Sequence, residues 1–250
     1  MRVRPLSPHG AANALPLRVA VERYEAYLDS LAVRRHHGDG VFPTAEVRDL
    51  AEAAWAGIGY EATGDGRAVR ALRVASLAAM LLKVGDGEDV EDDGACPGGH
   101  GDGLAVGWAG LLLPIGHALG PRLLAHLGGQ DLWAGAAPCL AGAAFSLRLP
   151  GVPARARHIV LCAAEREDGR GPLGRTGSAI PLEALALRVA VRILGAWDWI
   201  GETREAPGAT GEPETLGRGP AGPRERALAV QAWAALRERR ELAEKPEVQG

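Results

Sequence analysis

Residues 104–147 are the most apolar part of this chain, and any stable fold must hide them from water. Pro114, Pro121 and Pro138 fall inside the stretch, so it is expected to kink or divide into two or three helical pieces. Its longest apolar part, 104–119, is interrupted by Gly107, Gly110, Pro114 and Gly116, and no conventional membrane span is expected. The rest of the chain must therefore supply amphipathic cover. Ala, Leu, Arg and Glu are good helix formers, while 35 Gly and 17 Pro cut the helices short. Together these features predict an all-α fold: a bundle of about six to eight short helices around one apolar central helix, with long Gly/Pro-rich loops.

Spacing places the cover. After a tail of residues 1–15, a first helix is predicted over 16–35, with Leu17, Val21, Tyr24, Leu28 and Leu31 on its inner face. Thr44, after Pro43, is the expected N-cap of a second helix facing inward through Val47, Leu50, Ala54 and Ile58. A third covers 67–84, with Val69, Leu72, Leu77, Met80, Leu81 and Val84 inward. An acidic loop is expected over 85–103. Residues 158–163 read as a short strand without a partner, 164–178 as a loop. Pro181 opens a helix whose face runs through Leu182, Ala186, Val189, Ile193 and Trp197. The bundle domain is thus 16–200, followed by a Gly/Pro/Glu linker at 201–223 and a C-terminal helix and tail at 224–250.

Charge and cysteines narrow the function classes. A net charge of −3 argues against a dedicated nucleic-acid binder. Three scattered cysteines make no disulfide framework and point to a reducing, cytoplasmic setting. The acidic loop lacks the spacing of a helix–loop–helix calcium site. Cys96 and His100 are separated like one zinc-ligand pair, but His117 and His126 do not make a second close pair. No phosphate-cradling loop or nucleophile elbow is present, so neither catalysis nor a cofactor is expected. Thr44 to Gly57 begins like a helix-turn-helix, yet Thr63-Gly64-Asp65-Gly66 stands where its second helix should run. These leave two alternatives to the reading below: a helical regulatory or scaffold protein with a weak helix-turn-helix and no groove, and a metal-binding enzyme using Cys96 and His100.

Four segments, in order, resemble the homology segments of the Bcl-2 family of apoptosis regulators. Arg18, Val21, Arg23, Tyr24, Tyr27 and Ser30 are similar to the fourth segment. Leu77, Leu81 and Val84, followed by Gly85 and Asp86, are similar to the third. Asp102-Gly103-Leu104 leading to Trp108 resembles the first, although Ala109-Gly110 stand where the family has Gly-Arg. Gly195-Ala196-Trp197-Asp198 resembles the second. The resemblance, to a diverged member of the kind viruses encode, implies a protein that binds an amphipathic helix of a pro-apoptotic partner in an apolar groove. The groove residues it implies are Leu77, Leu81, Val84, Gly85, Asp86, Trp108 and Trp197. The missing Arg, which pairs with an acid of the guest helix in the family, leaves that role unfilled.

Overall fold

A single apolar helix organises this protein. The computed structural model describes residues 14–33, 41–85, 101–126, 135–200 and 222–244. Among these are eight α-helices: α1 (Ala14–Val33), α2 (Thr44–Ala56), α3 (Arg67–Gly85), α4 (Gly101–His126), α5 (Ala137–Ser146), α6 (Ala154–Cys162), α7 (Leu182–Ile193) and α8 (Pro223–Glu244). Short 3-10 helices cover Ile58–Glu61, Gly177–Ala179 and Trp197–Ile200. The described residues contain no strand beyond one isolated bridge, Asp168 to Thr176. The fold is all-α.

α4 sits at the centre. It packs against α5, α3, α2, α6 and α1, and more lightly against α7. From Ala105 to Ile115 its side chains are buried on every side, including Val106, Trp108, Leu111, Leu112, Leu113 and Ile115. Small residues let the neighbours approach. A Cβ on Gly107 would lie 2.5 Å from the Ala51 carbonyl oxygen of α2, and one on Gly110 would lie 2.6 Å from the Ala75 Cβ of α3. On the other side, a Cβ on Gly116 would overlap the Pro138 carbonyl of α5.

The stretch 104–147 divides into two helical pieces, α4 and α5, as expected, and α4 itself is continuous. Pro114 and Pro121 both lie inside it, and only Pro138 falls at a helix start. An interior proline costs about 3 kcal/mol, whereas burying each large aliphatic side chain stabilises by about 1.5–3 kcal/mol. Five such residues within Val106–Ile115 outweigh one missing hydrogen bond. Tyr24 of α1 also ties the two helices together here, its buried hydroxyl donating to the Leu111 carbonyl three residues before Pro114. The continuous helix has a further consequence: Gly103–His126 is long and apolar enough to cross a membrane by length and composition, with 78% of its most apolar window buried inside the bundle.

The covering helices follow their patterns with local corrections. α1 buries Ala20, Tyr24, Leu28 and Leu31, one stripe, with Leu17 and Val21 at its edge. Thr44 is the first residue of α2 rather than its cap; Pro43 precedes the helix and the Thr44 hydroxyl turns back to Phe42. α2 ends where Gly57 adopts φ 81°, leaving Ile58 41% exposed in the following 3-10 turn instead of on the inner face. α3 is covered on several sides, so Met80 is half-buried while Ala71, Val74 and Ala78 join Leu72, Leu77 and Leu81 in the core.

Residues 158–162 are helical rather than extended, and Ala163 caps the helix. Among the described residues no strand is available to pair with them, and α6 instead buries Ala156, Ile159 and Val160 on one stripe while satisfying its backbone internally. Trp197 does not continue the face of α7, because the helix stops at Ile193 and Gly195 turns with φ 69°. Residues 101–103, expected in the acidic loop, form the first turn of α4. Residues 86–100 and 201–221 lie outside the described residues.

Candidate functional site

α7 carries the least ordinary feature of the bundle. Its sequence LEALALRVAVRI is apolar except for Glu183, Arg188 and Arg192, and almost every residue is buried. Arg188 and Arg192 are one helical turn apart and share a face. Both reach Glu225 in the first turn of α8, Arg192 Nη1 at 2.7 Å and Arg188 Nε at 3.2 Å from Oε1. All three side chains are no more than 6% exposed. Arg188 Nη1 also donates to the Glu165 carbonyl at 2.7 Å.

The segment between α6 and α7 is folded around two further acids. The Glu165 carboxylate is fully buried and accepts from the backbone N–H of Leu173 (2.5 Å) and Arg175 (2.8 Å). Gly169, with φ 76°, and Gly174, with φ 65°, turn the chain so that those donors converge. Glu167 reaches α8, where its Oε2 accepts from the N–H groups of Arg224 and Glu225, each at 3.1 Å. A distant carboxylate thus caps the helix and meets its positive end. Arg224 Nη1 returns donors to the carbonyls of Gly177 (2.9 Å) and Ile180 (3.1 Å).

Beside this network lie His158 and Cys162, one turn apart on α6. Burial, then Arg175 and Arg155, holds His158 below its usual value. Its Nε2 sits 2.8 Å from Arg175 Nη1 and accepts, since a guanidinium only donates; the proton is assigned to Nδ1. Burial pushes the Cys162 thiol up, away from the thiolate that nucleophilic chemistry requires. The arrangement is suited to holding a carboxylate and a helix start, and it offers no activated nucleophile.

The residues implied by the Bcl-2 resemblance are distributed differently. Leu77, Leu81 and Trp108 come together in the core, each no more than 1% exposed. Val84 and Gly85 are the last two residues of α3. Asp86 lies outside the described residues, as do Cys96 and His100. Trp197 opens the 3-10 turn after α7, and Trp199 in the same turn is buried. His117 pairs with Asp198, its Nε2 3.3 Å from Oδ2, and His126 is exposed. Among the described residues no three His, Cys, Asp or Glu gather as metal ligands. Tyr24 is a core residue, while Tyr27 stacks edge-on with Phe42 at 5.2 Å between ring centres.

Sequence reasoning passed over Arg188, Arg192 and Glu225. Their signal was present: two arginines four residues apart within an otherwise apolar helix, a position that burial tolerates only with partners. In comparisons with known proteins the chain matches no family model, no curated protein and no solved structure.

Proposed function

We propose that this protein is a Bcl-2-like regulator of apoptosis, cytoplasmic and non-enzymatic, that binds an amphipathic helix of a cell-death protein in an apolar groove. The observation that supports this reading is the central position of α4, an apolar helix wrapped on several sides by amphipathic ones. A guest helix would draw its affinity from Leu and Val anchors, each worth about 1.5–3 kcal/mol when buried. Because Leu77, Leu81 and Trp108 are enclosed, a covering element must move before a guest reaches them. Isothermal calorimetry with synthetic cell-death helices tests the reading. Micromolar or tighter binding is expected; absence of heat, together with no rise in melting temperature, would remove it.

The same enclosure favours a second reading, a helical scaffold without a groove. That reading expects no binding of amphipathic helices at any concentration.

A further inference from the structure

The 3-10 turn Gly177–Ala179, just before α7, is gripped by two arginines. Arg224, in the first turn of α8, donates through Nη1 to the carbonyls of Gly177 (2.9 Å) and Ile180 (3.1 Å). Arg175 donates through Nη1 to the Ala179 carbonyl at 3.4 Å. Among the described residues neither guanidinium meets a carboxylate, and the Nε and Nη2 groups of both have no partner. Each keeps N–H donors to spare.

The acids of this corner are already engaged. Glu183 is held by Arg155 and Asp168 by Arg166. Glu165 accepts from the amides of Leu173 and Arg175, and Glu167 from those of Arg224 and Glu225. His158, with Nε2 2.8 Å from Arg175 Nη1, brings no negative charge. Arg175 and Arg224 therefore lack an anion. Ser178 occupies the middle of the turn that they hold. It is exposed, and its hydroxyl makes no hydrogen bond among the described residues.

We propose that Ser178 is a phosphorylation site and that Arg175 and Arg224 receive its phosphate. The phosphate supplies the missing anion, and its oxygens accept the spare guanidinium donors. It thereby ties the segment before α7 to the start of α8, from which Arg224 comes. The modifying enzyme is a serine kinase that reads arginine ahead of its target, since Arg175 stands three positions before Ser178. ATP is the donor. The Ser178 oxygen bonds to the terminal phosphorus, the bond to the bridging oxygen breaks, ADP leaves, and the hydroxyl proton passes to the kinase's base. Neither step requires this protein to bind a helix.

Full-length protein carrying genetically encoded phosphoserine at position 178 is the first probe. Phosphorus NMR reads the last ionisation of the phosphate, against a synthetic phosphopeptide of residues 172–184 whose value stays near about 6. In the folded protein the last proton should leave about tenfold more readily, and Arg175→Gln and Arg224→Gln should each reverse part of that change. The melting temperature should rise by about 2–4 °C over the unmodified chain, a gain that shrinks at high salt. An ionisation equal to the peptide's would overturn the proposal.

Inorganic phosphate titrated onto the unmodified protein separates a tethered phosphate from a free one. If millimolar phosphate raises the melting temperature as much as the modification does, the site serves a soluble anion and Ser178 loses its role. Incubation of the unmodified protein with ATP and a purified kinase selective for arginine three residues ahead should label Ser178, as located by mass spectrometry. Ser76 stands at the same distance from Arg73 but is fully buried on α3, so it should stay unlabelled. Absence of label on Ser178 would overturn the assignment.

Discussion

The Tyr24 hydroxyl of α1 donates to the Leu111 carbonyl of α4, one turn ahead of Pro114. Tyr24 is fully buried, and burial raises its pKa well above the usual value, so it remains a neutral donor at any ordinary pH. Tyr24→Phe removes this buried hydrogen bond between α1 and α4. The expected cost is about 1–2 kcal/mol, read as a lower urea midpoint with an unchanged slope. An unchanged midpoint would show that this bond adds nothing to stability.

Close approach of α4 and α5 at Gly116 gives a prediction of opposite sign at two nearby glycines. Alanine gains about 1 kcal/mol over glycine in a helix interior. At Gly116 the new methyl would overlap the Pro138 carbonyl, and crowding costs about 1–3 kcal/mol or more. At Gly120 the nearest atom is Pro138 N at 3.2 Å, a contact that a small shift relieves. Gly116→Ala should therefore lower the melting temperature, while Gly120→Ala leaves it level or raised.

The Arg188–Glu225–Arg192 cluster should behave as a coupled unit. Arg192→Ala deprives a buried carboxylate of its nearer partner, at a cost of about 3 kcal/mol. Combined with Glu225→Ala, the loss should be less than the sum of the single losses, with a coupling of about 1–3 kcal/mol. Strict additivity in a denaturant-based double-mutant cycle would contradict the geometry.

His158 predicts a pH dependence. Burial and then the arginines hold it below its ordinary value of 6.5, so the folded chain binds fewer protons at this site than the unfolded one. The stability it contributes is fully present above pH 6.5 and is lost as acid takes the ring through its lower folded value. Melting temperature should fall below pH 6.5, and His158→Gln should lose that part of the slope. A slope unchanged by the substitution would assign the acid sensitivity elsewhere.

Leu77, Leu81 and Trp108 are core residues first. Leu81→Ala should cost about 2–5 kcal/mol and Trp108→Ala about 3–5 kcal/mol in the absence of any ligand. Measuring helix binding in these variants is informative only where circular dichroism and thermal melts show that the bundle persists.

Local pattern made much of the bundle legible. The stripe Tyr24, Leu28, Leu31 and the stripe Val47, Leu50, Ala54 lie at helical spacing, and both are buried. Spacing failed where tertiary packing outweighed local preference: α4 runs through Pro114 and Pro121, and β-branched Ile159 and Val160 lie in a helix. The candidate site was harder to see. Arg188, Arg192, Glu165, Glu167 and Glu225 belong to three separate elements, and no short-range rule brings them together.

By itself the sequence determined that an apolar segment must be wrapped by amphipathic helices, because apolar area and helical period are properties of the chain alone. Only the tertiary structure decided which helix meets which. That choice depends on close approaches at Gly107, Gly110 and Gly116, and on Glu167 and the α7 arginines that reach across to the start of α8. Contacts between residues far apart in the chain follow from shape and desolvation, which no local stretch contains.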